Sequence, residues 1–218
     1  MAIKTVNDLF INELKDIYSA EKQAVRIFPR LAKAVSSSEL KEALQTHLEE
    51  TKGQIERLDR VFEILEKRSS GKTCEGMKGL IVEGSEMVEE VEQGLVRDAA
   101  LIAAAQRMEH YEIAAYGTVV AFAKLTGQQE IVQLLTETLE EEKATDKKLT
   151  GVSKMVNKQA LADSDEEEED EGDMEDDEEE ETEGDEETDD DDADSGVEEQ
   201  EAPTPRTAAK GKKAARNN

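Results

Sequence analysis

The chain has 218 residues, with 55 Asp and Glu against 27 Lys and Arg, a formal net charge of −28. The charge is confined: residues 163–201 hold 28 acids and no base, residues 203–218 hold five bases and no acid, and residues 1–162 carry only −5. A single cysteine, Cys74, excludes an intramolecular disulfide, and the longest apolar run, residues 99–105, is far too short to cross a bilayer.

Apolar residues recur at helical spacing in four long segments. The first spans about residues 5–34, with Asn7 or Asp8 as its expected N-cap, and apolar spacing continues past Pro29, which bends the helix rather than ending it. Ser36-Ser37-Ser38 interrupts the pattern. Ser38 then caps a second segment reaching about residue 67, closed by Ser69-Ser70-Gly71. A long connection follows, in which Cys74-Glu75-Gly76-Met77-Lys78-Gly79-Leu80-Ile81-Val82 reads as a short extra helix. The third long helix covers about residues 97–125 with Gly127 as its C-terminal cap, and the fourth about residues 129–155.

Two short connections make antiparallel hairpins, and a long middle crossover lets the second and third helices run the same way. That is a ferritin-like four-helix bundle, all-α, over residues 1–160. No segment alternates with period two for long enough to argue for a sheet. Residues 161–202 have almost no apolar side chain to offset the entropy of ordering, and they read as a disordered acidic tail, followed by a short basic arm at 203–218. The first residues lack the apolar core of a signal peptide, so the cytoplasm is the expected compartment.

Several acids fall on the apolar stripes. On the first helix Phe10, Leu14, Ile17, Val25 and Phe28 lie within roughly 40° of Glu21 on a helical wheel. On the third, Ile102, Ala105, Ile113, Tyr116 and Val120 surround Glu109, with Glu112 one turn on. On the fourth, Ile131, Leu135, Leu139 and Leu149 flank Glu142, with Asp146 on the same face. A glutamate is almost never fully buried unless its charge is matched, and no Lys or Arg sits inward at matching depth. Bridging divalent cations would satisfy several such carboxylates together. The second helix is less regular: His47, Thr51 and Gln54 lie well inside its stripe, while Glu50 lies roughly 80° off the centre. His47 and Glu50 are an i, i+3 pair able to reach one point. The candidate ligands are therefore Glu21, His47, Glu50, Glu109, Glu112, Glu142 and Asp146.

The run Glu109-His110-Tyr111-Glu112-Ile113-Ala114-Ala115-Tyr116 resembles the YciE/YciF-type family of stress-associated ferritin-like proteins. So do Glu13-Leu14-Lys15-Asp16, Ala20-Glu21-Lys22-Gln23, His47-Leu48-Glu49-Glu50-Thr51, Cys74-Glu75-Gly76-Met77 and Thr138-Leu139-Glu140-Glu141-Glu142, in order over about residues 5–160. The resemblance implies a cytoplasmic homodimer with a bundle-centred pair of iron or manganese ions and a part in oxidative or osmotic stress. Thr51-Lys52-Gly53-Gln54 stands where ferritin-like proteins carry Glu-x-x-His. The competing expectation is a metal-free dimeric helical scaffold that displays the acidic tail. That tail would attract basic proteins, and the terminal arm offers only a weak nucleic-acid contact.

Overall fold

The computed structural model describes residues 3–70 and 72–176, with side chains placed as far as Asp163. Five helices follow in order: α1 Val6–Ala34, α2 Ser38–Ile64, α3 Glu75–Glu90, α4 Leu95–Leu125 and α5 Gln129–Asp176. There is no strand among the described residues. The two hairpins α1/α2 and α4/α5 pack together through α1 on α4 and α2 on α5, and α3 rides on the crossover against α1 and α4. This is the ferritin-like arrangement expected from the sequence. No described helix is long and apolar enough to cross a membrane.

The caps show how side chains set the helix ends. Thr5, not Asn7 or Asp8, is the N-cap of α1: its hydroxyl accepts from Asp8 N–H while the Asp8 carboxylate accepts from Thr5 N–H. Such a reciprocal box satisfies two of the amides a helix start leaves bare. Pro29 sits within α1 and the helix runs on to Ala34. Ser37, one residue before the expected Ser38, caps α2. That helix stops at Ile64 rather than near residue 67, because Glu66 turns into the left-handed region at φ 54° and Lys67 N–H returns to Phe62 C=O. At the end of α4, Gly127 takes φ 73° and Gln128 N–H reaches Ala123 C=O, the glycine-closed cap the sequence signals.

The end of α5 lies beyond the expected boundary at residue 155. Val156 and Ala160 remain buried, and the Glu-rich residues after them are good helix formers, so the helix continues to Asp176 through the first part of the segment read as a disordered tail. The rest of that acidic tail and the basic arm at 203–218 lie outside the described residues.

A buried carboxylate ties the hairpins together. Asp98, in the first turn of α4 and fully buried, accepts from Ser36 N–H at 2.9 Å and Ser37 N–H at 2.6 Å in the α1–α2 turn. Removing it strands two amides, each worth about 1–3 kcal/mol when left unpaired. Asp98→Ala should therefore lose about 3 kcal/mol of stability, read as a lower urea midpoint with an unchanged slope.

The apolar core is divided in two. One cluster is built from residues such as Ala24, Phe28, Leu44, Leu101, Met108 and Leu149. The other gathers Phe10, Leu14, Leu58, Phe62, Tyr116, Val120 and Leu135. Apart from Asp98, the buried polar residues of the four long helices fall between the two sets: Glu21 on α1, His47, Thr51 and Gln54 on α2, Glu109 and Glu112 on α4, and Thr138, Glu142 and Thr145 on α5.

Candidate metal centre

This polar layer contains the densest group of possible metal ligands among the described residues. One ligand atom each from His47, Glu109, Glu112 and Glu142 lies within 4.8 Å of the others, and all four side chains are buried. His47 Nε2 stands 3.2 Å from Glu109 Oε1 and 3.7 Å from Glu142 Oε2. The edge of Phe28 holds the imidazole ring at a centroid distance of 5.0 Å.

Glu21 adjoins this group with its whole side chain buried, and Tyr116, equally buried, donates its phenolic O–H to Glu21 Oε1 at 2.5 Å. Beyond the ion-pair contacts of His47 with Glu109 and Glu142, seven carboxylate oxygens of Glu21, Glu109, Glu112 and Glu142 make no hydrogen bond, and neither does Gln54 Oε1. Burial pushes Glu21, Glu109 and Glu112 well above the ordinary glutamate value of 4.5, and the neighbouring carboxylates push them further. Glu142 is raised as well, by burial first, with His47 opposing. Burial and the facing glutamates likewise raise the Tyr116 hydroxyl.

Four acids with one imidazole among them cannot all be ionised in a dry layer unless cationic charge enters it. The nearest guanidinium is committed elsewhere. Arg57 clasps Glu141 through both terminal nitrogens, donates to Thr138 Oγ1 at 3.0 Å and pairs with Glu137 at 3.1 Å. Gln54 donates to the same Glu141. A set of three carboxylates and one imidazole with free lone pairs suits iron, manganese or zinc better than the all-oxygen shells of calcium or magnesium. The residues present therefore fit a buried divalent ion.

The other expected ligands lie at the margin. Glu50 is on the far side of His47, 3.4 Å from Nδ1, with its side chain 38 % exposed. Its contact with His47 holds it below the usual glutamate value. Asp146 accepts from Gln106 at 3.0 Å and lies 3.6 Å from the exposed His110. It acts on Glu109 as a repelling charge. Thr145, not foreseen from the sequence, sits between α2 and α5 with its hydroxyl 3.2 Å from His47 Nδ1 and 3.4 Å from Glu50 Oε2.

A second, partly buried polar group supports the crossover. Tyr111 donates to Asp16 at 2.7 Å and meets Cys74 Sγ at 2.9 Å, while Cys74 caps α3 and its amide donates to Ser19. Gly76 makes room for the phenol, since a Cβ there would lie 2.8 Å from Tyr111 Cε2. Burial raises the Cys74 thiol, as befits a packed residue rather than a reactive one.

Residues 5–162 match the family model described as a domain of unknown function, DUF892. The chain is 52% identical over 162 residues to protein YciF of Escherichia coli strain K12, covering 73% of this chain and 98% of that protein. The chain belongs to the YciF-type family. The crystal structure of the E. coli stress protein YciF superposes with a TM-score of 0.70 at 50% identity, over 72% of this chain and 99% of that one. YcfI of Rhodopseudomonas palustris gives 0.67 at 45% identity, over 68% and 94% of the two chains. A protein of Xanthomonas campestris, 21% identical with a TM-score of 0.59, shares the fold. The matched region ends at residue 162, where the charge run begins, so the acidic segment is an addition to the YciF-type domain.

Proposed function

We propose that the bundle holds a pair of iron or manganese ions on Glu21, His47, Glu109, Glu112 and Glu142, and that it serves, like its E. coli relative, in the response to stress. The observation that carries this reading is the set of seven carboxylate oxygens that make no hydrogen bond between two apolar clusters. Protonating one acid neutralises it and lets it donate to a neighbour, as between Glu109 and Glu142, but supplies only one donor per acid for seven acceptor oxygens, whereas a divalent cation satisfies charge and several lone pairs together. When bound, the ions would supply one-electron chemistry toward oxygen or peroxide.

The protein's own share is to orient and to exclude water. Tyr116 fixes one oxygen of Glu21, and Phe28 fixes the His47 ring. The Arg57–Glu141 clasp holds α2 and α5 in register above Gln54. The homodimer and the cytoplasmic setting belong to the same proposal.

The test is elemental analysis and melting of the full chain purified without chelator. We expect about two equivalents of metal per chain and, at ligand a hundredfold above Kd, about 2.7 kcal/mol of added stability. Less than about one equivalent, with no rise in melting temperature on adding Fe2+ or Mn2+, would leave the metal-free scaffold as the standing reading.

A further inference from the structure

The buried cluster needs a way in, and the contacts around His47 mark one. A cleft of about 90 Å3 opens between α2 and α5, lined by Ala43, Thr46, Glu50, Ala144, Thr145 and Lys148. Two of these lining residues, Glu50 and Thr145, touch His47 Nδ1 at 3.4 and 3.2 Å. The opposite nitrogen of the same ring faces Glu109 and Glu142 at 3.2 and 3.7 Å. One imidazole therefore separates the cleft from the cluster, and donor atoms continue from solvent to the buried layer. Three larger clefts lie against Tyr18 and Lys22, against Glu90 and Val91, and against Asn7 and Ile11, and none is lined by these residues.

We propose that this cleft is the port by which divalent cations reach the cluster, with Glu50 as the docking carboxylate and the His47–Thr145 pair as the gate. The proposal rests on the metal reading above. Glu50 meets both requirements of a docking residue: it is partly open to solvent and is in contact with the gate. Thr145 pins the ring, since its hydroxyl reaches both His47 Nδ1 and Glu50 Oε2. A cation on Glu50 competes for those contacts, and the freed ring can turn to pass the ion inward. Lys148, exposed on the same rim, attracts the Glu50 carboxylate and so competes with an arriving cation at the mouth.

The experiment is stopped-flow mixing of the full-length, metal-stripped chain with Co2+ in about 0.15 M salt, where exposed charges more than about 8 Å apart are largely screened. The visible ligand-field band of cobalt held by nitrogen and oxygen donors reports arrival in the cluster. A cleft lined by charge of one sign raises association rates by about tenfold or more, so a single charge at the mouth should account for about a few-fold at this salt. Glu50→Gln should slow the band by about that factor, and Lys148→Glu should speed it several-fold. Ala144→Phe, a plug placed on the exposed rim, should slow filling and leave the final band unchanged.

If the parent develops the band and the three variants fill at its rate, the port is elsewhere and the metal centre stands. If Glu50→Gln lowers the final amplitude and leaves the rate unchanged, Glu50 is a resident ligand and the docking role fails. If the parent shows neither the band nor a thermal shift, both the centre and its port are refuted.

Discussion

The metal-free double variant Glu109→Gln/Glu142→Gln is expected to be more stable than the parent at pH 8, by about 2 kcal/mol. Each pKa unit by which folding raises a carboxyl costs about 1.4 kcal/mol once the pH is above the folded value. Both residues are raised, chiefly by burial. The sign follows from proton binding: the folded chain holds protons that the unfolded chain has released. The contribution of these groups is therefore fully present below the ordinary value of 4.5 and is lost as pH climbs through the raised folded values. The parent should lose stability from about pH 5 upward, at up to about 1.4 kcal/mol per pH unit for each proton in play. The variant should show a flatter profile. Buried amides left partly unpaired take back part of the gain, about 1–3 kcal/mol, which is why the expected net stays near 2.

The same variant should behave in the opposite way when metal is added. At free Fe2+ or Mn2+ a thousandfold above Kd the parent gains about 4 kcal/mol, and the variant, with two ligands neutral, gains little. Urea melts at pH 5, 6, 7 and 8, with and without metal, separate the cases. A parent that is more stable than the variant at every pH in the presence of chelator would mean that the acids are matched by something other than an ion. Asp16 works in the contrary direction at the acid end. Despite its partial burial, contacts with Cys74, Tyr111 and Lys72 hold it below its ordinary value, so its contribution is lost as pH falls.

Phe62→Ala should produce the largest loss of stability, about 3–5 kcal/mol. The ring is 1 % exposed and meets Tyr18 edge-on at 5.7 Å within the cluster of Leu58, Tyr116 and Leu135. Truncation removes its apolar burial and leaves a cavity the surrounding helices fill only in part. Against a usual total of about 5–15 kcal/mol, that is enough to leave some preparations partly unfolded at 37 °C. Because Phe62 lies outside the polar layer, the folded fraction should still take up metal, and calorimetric titration at 10 °C against the urea midpoint checks both halves. The two variants thus separate fold from site: one keeps the bundle and loses the ion, the other weakens the bundle and keeps it.

The inward acids were legible because a wheel needs only regular helices. Glu21, Glu109 and Glu142 sit at the middle of their stripes, and all prove buried, as do Glu112 one turn on and His47, Thr51 and Gln54 on α2. Glu50 came out half-exposed, in line with its place roughly 80° from the stripe centre. Features that depend on two elements meeting were not legible. Nothing in α4 alone says that Asp98 will receive the amides of Ser36 and Ser37, or that Tyr111 will find Asp16 and Cys74. The contact of Thr145 is of the same kind, since its hydroxyl reaches across from α5 to His47 on α2. The N-cap of α1 is legible in Thr5-Val6-Asn7-Asp8, which carries the spacing of a capping box and so favours Thr5 over Asn7 or Asp8. The end of α5 is not marked by periodicity, because apolar spacing fades after residue 155 while helix propensity does not.

The division of the apolar core also bears on how the molecule breathes. Four long helices pass through two dry regions joined by a layer of acids, so without an ion each end has the makings of its own cooperative opening unit. Amides of α4 near Met108 and near Val120 would then exchange with deuterium at independently tunable rates, one end fraying while the other stays closed. A cation gripped from several helices at once would merge the two units into one. Occupancy of the centre would thus be felt as a change in the rhythm of exchange at both ends, even where no backbone atom moves.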